Sequence, residues 1–199
     1  SKGTDYMSVN AVPSYSRVPG ATPTPVAGAV SVSVASGNPA AATVTKNAQG
    51  VEMLRVRLSG TGTVKEMTLK RLGAGAVGDI ANLYIYDGAT RLTSGKSLSS
   101  TDGTVTFANL SIAVSGTKDL SVVTELAGTA GNVNYLSLTA VMLASGTASG
   151  LPVNGNNLTI SGADSGRLDV TKVGSIANPN VGAKGAQLSE FKLTSVTEG

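Results

Sequence analysis

Three aspartates, Asp79, Asp87 and Asp102, sit beside glycines in this chain. Carboxylates at loop ends, joined by backbone carbonyls, are the hard oxygen ligands that calcium takes. None of the three stands in a D-x-D-x-D-G spacing, and an aspartate next to glycine more commonly caps and bends a turn. They are the candidate metal ligands, and calcium is the one cofactor the residues suggest. Glu52 and Glu66 fall on segments expected to be neighbouring strands, so they are the nearest approach to a carboxylate pair. A glycosidase pair also needs a substrate cleft, which nothing signals.

Other residues admit a binding role beside a plainer one. Tyr84 and Tyr86 are two apart, so on a strand they share a face and offer a platform for a sugar ring. The plainer reading lays both rings over the edge of the core. Asn154-Gly155-Asn156-Asn157 offers amide oxygens to an ion or sugar, against a tight turn with positive φ. Arg55, Arg57, Lys65, Lys70 and Arg71 make a basic stripe over two strands, against charges that pair with acidic neighbours and discourage edge aggregation.

Absent residue types exclude more than present ones suggest. Among 199 residues there is no His, Cys or Trp. That removes Ser-His-Asp and Cys-His catalysis, imidazole and thiolate metal sites, and thiol redox chemistry. With twelve acidic residues left to supply any catalysis, an enzyme is not expected. A net charge of +3 spread without a basic run, and 4% aromatics, argue against a nucleic-acid groove. No apolar run approaches the roughly 18–20 residues of a membrane span. The N-terminus lacks the basic and apolar regions of a signal peptide, as in a mature or internal segment.

The elements that must position these residues are strands. Residues 1–27 are rich in Pro, Ser and Thr and read as an extended linker or arm. Residues 30–34 alternate Val and Ser, the period of a strand with one buried face. Residues 52–58 place Leu54, Val56 and Leu58 on one side and Arg55 and Arg57 on the other. Gly60-Thr61-Gly62 then predicts a turn into a neighbouring antiparallel strand over 64–72. Further strands are predicted over 80–86, 104–107, 110–114, 120–126, 133–143 and 158–160, with Asp87-Gly88 and Asp102-Gly103 as turns. About ten short strands without a helical stripe give an all-β fold, an antiparallel sandwich.

Four stretches carry a resemblance: Ile80-Ala-Asn-Leu-Tyr-Ile-Tyr-Asp-Gly-Ala-Thr, Gly103-Thr-Val-Thr-Phe, Leu110-Ser-Ile-Ala-Val-Ser-Gly-Thr-Lys-Asp-Leu and Val122-Val-Thr-Glu-Leu-Ala-Gly. They resemble an immunoglobulin-like module that recurs in large bacterial surface proteins, among them S-layer and other envelope proteins. In that pattern one strand pair carries a loop around Asp-Gly, and a later strand follows a Gly-Thr-Lys turn. The resemblance covers about residues 28–162, brings no catalytic residues, and implies a structural role at the cell surface. In such a chain the acceptor patterns Asn109-Leu-Ser and Asn157-Leu-Thr are coincidental.

The chain also repeats itself. Lys184, Ala186, Gln187, Glu190 and Phe191 answer Lys46, Ala48, Gln49, Glu52 and Met53, and Asn178-Pro179 answers Asn38-Pro39. Residues 163–199 are therefore expected to be the opening strands of a second, incomplete sandwich repeat. The expected function is a self-associating, extracellular subunit of an S-layer or filament, with identical subunits or neighbouring repeats as partners and no membrane span. The alternatives are an adhesive module that holds cell-envelope glycan through loops at 87–96 and 150–157, or a virion fibre or decoration module.

Overall fold

The computed structural model of the protein describes residues 28–164, 167–175 and 178–196. The arm expected over residues 1–27 lies outside them. Among the described residues nearly all regular structure is strand, with one 3-10 turn at Val77–Asp79 and no α-helix. Thirteen strands are found there: β1 (Gly28–Val34), β2 (Ala42–Lys46), β3 (Val51–Leu72), β4 (Ile80–Asp87), β5 (Thr90–Arg91), β6 (Thr104–Phe107), β7 (Ile112–Leu126), β8 (Val133–Leu143), β9 (Gly146–Ser149), β10 (Val153–Asn154), β11 (Leu158–Asp164), β12 (Arg167–Lys172) and β13 (Phe191–Val196).

β1 to β11 make one sheet that curls on itself, along the path β2-β11-β8-β3-β7-β4-β5. β1 attaches to β3 and β9, β6 to β3, and β10 to β8. Most pairings are antiparallel as expected, but β1 with β9 and β2 with β11 run parallel. β12 and β13 form a separate antiparallel pair.

The hairpin expected at Gly60-Thr61-Gly62 does not exist; β3 runs unbroken for 22 residues. These glycines serve close approach. Gly60 has φ 132, and a Cβ there would strike the carbonyl oxygen of Ala29 on β1. Across the other edge Gly60 faces Gly116 of β7, which likewise passes straight through the expected Gly-Thr-Lys turn. Residues 112–114 and 120–126 are accordingly parts of one strand rather than two, and Leu110 and Ser111 lie before its start.

β3 changes partners along its length. Its first half lies between β1 and β7, its second half between β8 and β6. In the first half Leu54, Val56, Leu58 and Val64 face inward; in the second Met67 and Leu69 do. The change from even to odd positions follows from a register shift between Val64 and Glu66, where one extra residue turns the strand over. One strand thereby presents apolar side chains to the same core from both walls of the curl. Leu69, Phe107, Leu136 and Leu138 meet Val30, Val32, Leu58, Leu83, Leu120 and Val122 in a single cluster. Full burial of each large apolar side chain is worth about 1.5–3 kcal/mol.

Candidate functional site

The candidate ligand Asp79 is almost wholly buried, at 3% exposure. The tight turn Val77–Asp79 brings it back so that Ala76 N donates to its Oδ2 at 2.8 Å. Asn132 Nδ2 reaches both of its oxygens at 3.0 Å, and Asn134 Nδ2 reaches Oδ2 at 2.9 Å. Arg71 Nε in turn donates to Asn134 Oδ1 at 2.6 Å. A Cβ at Gly75 or at Gly128 would run into the Asp79 carboxylate, so both glycines give it room. Burial pushes the Asp79 carboxyl up, but hydrogen bonds from Asn134, Asn132 and the backbone of Ala76 and Thr129 outweigh it and hold the group below the usual range. The result is a polar clasp that ties the 73–79 loop to the loop before β8.

Asp87 and Asp102 are engaged elsewhere. Asp87 Oδ2 accepts from Lys118 Nζ at 2.6 Å. Asp102 caps its own turn, taking Thr104 N at 3.1 Å and Thr104 Oγ1 at 2.8 Å. Hydrogen bonds from Ser99 and Thr104 hold its carboxyl low. Among the described residues no group of three or more acidic, His or Cys side chains is placed to hold a metal ion. The clasp itself was not expected from sequence, because Asn132 and Asn134 carry no local pattern that aims them at Asp79, 53 and 55 positions away.

Glu52 and Glu66 are not on neighbouring strands. Both lie on β3, 14 residues apart, and a strand rises about 3.3 Å per residue. Glu52 instead binds Arg55 at 2.7 Å and accepts from Ser121 Oγ at 2.8 Å. Burial raises the Glu52 carboxyl, and its bonds to Arg55 and Ser121 bring it below its ordinary value. The five cations of the expected stripe also share β3 rather than two strands. Arg57 grips Asp119 with two hydrogen bonds at 2.7 and 2.8 Å, and this pairing lowers the aspartate. Arg55 and Arg57, on the outward face where β3, β7 and β4 lie side by side, are thus paired with acidic neighbours.

Tyr84 belongs to that face. Its hydroxyl donates to Glu125 Oε1 at 2.7 Å, and the Arg91 guanidinium stands 5.4 Å from its ring centre. The bond to Glu125 raises the Tyr84 phenol, while Asn82 and then Tyr84 lower the Glu125 carboxyl. Beside it runs a groove of about 660 Å³ lined by Asn82, Gly95, Lys96, Ser99, Thr104 and Thr106.

Asn154 to Asn157 do not form the expected turn with positive φ, since none of the four has it. Asn154 is paired in β10 with Ser137, and Gly155 N donates to Leu136 O at 2.8 Å. Gly155 is small because a Cβ would press on Met53 O at 2.6 Å. Asn156 Nδ2 donates to Pro39 O at 2.8 Å.

A different surface stands out at β12 and β13. Their register places Leu168, Val170 and Lys172 of β12 opposite Ser195, Leu193 and Phe191 of β13, on one face. Leu168, Val170, Phe191 and Leu193 are 60%, 58%, 62% and 64% exposed. Asp169, Thr171, Lys192 and Thr194 occupy the other face by alternation. No helix among the described residues is long and apolar enough to cross a membrane. Comparison with protein-family models and with curated proteins found no match for the chain.

Proposed function

We propose that the chain is a self-associating structural segment of a repetitive extracellular assembly, an S-layer lattice or a filament. In this reading it is built from immunoglobulin-like β-sandwich units, of which residues 28–162 are one and residues 163–199 open another. It has no catalytic role. The observation that carries the reading is recurrence at two levels. β1, ahead of Asn38-Pro39, pairs antiparallel with β3, which contains Glu52; β12, ahead of Asn178-Pro179, pairs antiparallel with β13, which follows Glu190. Similar sequence signs thus accompany an antiparallel strand pair in both places, in different registers.

Two further features support it. Side chains that are candidates for chemistry are spent on one another, as in the Asp79 clasp and the Arg57–Asp119 pair. Four of the nine exposed large apolar residues described, Leu168, Val170, Phe191 and Leu193, gather on one face of β12–β13, where contiguous apolar surface marks association. Electron microscopy of the purified chain without added partner tests the reading. Ordered lattices or filaments are expected; a monomer that stays dispersed and is retained by immobilised envelope glycan would overturn it in favour of an adhesive module.

A further inference from the structure

We infer that Asn154-Gly155 is a latent site of deamidation, held unreactive by the pairing of β10 and opened to a one-way chemical change whenever β10 detaches. The inference stands apart from the assembly reading above. Asn154-Gly155 is the one Asn-Gly pair in the sequence. At an asparagine the following backbone nitrogen can attack the side-chain amide, and a side chain on the following residue obstructs the approach; glycine has none. Asn154 is exposed, so water reaches its side chain and ammonia can leave. Gly155 is fixed by packing, since a Cβ there would stand 2.6 Å from Met53 O. The residue that makes the pair labile is therefore one that the fold requires.

The chemistry balances with water as the only co-reactant. Gly155 N bonds to Asn154 Cγ, the Cγ–Nδ2 bond breaks, and Nδ2 leaves as ammonia with the proton that Gly155 N gives up. The product is a cyclic imide. Water then opens the ring at either carbonyl carbon, leaving an aspartate or an isoaspartate whose main chain runs through Cβ and Cγ. Asp87-Gly88 and Asp102-Gly103 share the dipeptide form, but an ionised carboxylate has no leaving group to match ammonia. Both aspartates are also engaged, by Lys118 and by Thr104.

The folded chain obstructs the first step in two ways. Gly155 N donates to Leu136 O at 2.8 Å, so its proton is held on an acceptor rather than surrendered to solvent base. Val153 and Asn154, paired with Leu138 and Ser137, keep the backbone extended. Ring closure needs the peptide after Asn154 rotated well away from the strand ψ of about +135°. Both obstacles vanish together when β10 lifts from β8. β10 is two residues long and carries one buried side chain, Val153. So short a strand opens at a smaller free energy than the long β3. Isoaspartate then makes the opening permanent, because its extra backbone carbon stands between the ladder position of Asn154 and the bond from Gly155 to Leu136 O.

The test is mass spectrometry of the full chain incubated at mildly alkaline pH, with peptide mapping that separates aspartate from isoaspartate, in native buffer and in denaturant. The mass gain that replaces an amide by an acid is expected at Asn154, about tenfold or more slower in the native chain. The Gly155 amide should be protected from hydrogen exchange by a similar or smaller factor. Val153→Ala, which removes the buried anchor of β10, should speed the native reaction several-fold and leave the rate in denaturant unchanged. The comparison of native and denatured chain needs no variant, so it decides the matter even where Val153→Ala fails to fold. Equal rates in the two states would overturn the protection, and earlier modification at Asn156 or Asn157 would overturn the site. Isoaspartate-bearing chains whose Val153 amide stays as protected as before would overturn the one-way change.

Discussion

Asp79 shows how a residue type that suggests metal chemistry is used for architecture. Its two oxygens receive Asn132, Asn134 and the Ala76 backbone, so the lone pairs that calcium would take are already occupied. Melting with calcium and with chelator should therefore give the same Tm; a fall on chelation would restore the metal reading. Asp79→Asn keeps the size but turns an amide toward the donors of Asn132 and Asn134. It is expected to cost about 2–4 kcal/mol, read by denaturant unfolding, because buried donors lose their acceptor. Acid acts on the same bonds. Asp79, Glu52, Asp119, Asp102 and Glu125 all have lowered carboxyl values. A group lowered on folding contributes its full stability above its unfolded value, about 4 for these carboxyls, and loses it as pH falls through its folded value. Tm should hold level from neutral pH to about 5 and fall below about 4. Asp79→Asn should flatten that fall.

At the scale of elements, β3 depends on two small features, the Gly60–Gly116 crossing and the bulge beyond Val64. Gly60→Val forces a Cβ onto Ala29 O at a φ that valine avoids. A loss above about 2 kcal/mol is expected, with β1 amides losing exchange protection first. Deleting Lys65 removes the extra residue, so that Met67 and Leu69 would face solvent; this variant should not fold. Leu69→Ala, by contrast, should cost about 2–5 kcal/mol and keep the topology. These features also explain how far the sequence could be read. Alternation is a local property of side chains, so the strands around Leu54, Leu83, Val105 and Leu136 were legible, as was the turn at Asp87-Gly88. Gly-Thr-Gly at 60–62 has the same local signature whether it reverses the chain or lets another backbone come close. Only the pairing with Ala29 and Gly116 distinguishes the two. The parallel partners of β1 and β11 and the amides around Asp79 are likewise products of long-range closure.

For the whole molecule, the repeat of Asn-Pro and Lys-x-Ala-Gln was legible because it is written in identities, while the apolar face of β12–β13 needed a register. The outward face of β3, β7 and β4 carries paired charges, whereas one face of β12–β13 leaves large apolar side chains exposed. Phe191→Glu should leave the melting of the β1–β11 sheet unchanged while reducing any lattice or filament formation in the microscope, since Phe191 is 62% exposed on the apolar face of β12–β13 and lies outside the buried core. The long β3 has one more effect, on how the unit comes apart. Because it is hydrogen-bonded into both walls of the curl, neither wall can open as a separate foldon while the other stays closed. Native-state hydrogen exchange should find the amides of Val56 and Leu69 opening with one common free energy. A sheet held in this way responds to stretching or heating all at once, passing from intact to unfolded without a half-open stage; in the proposed array this would keep a unit from becoming entangled with its neighbours.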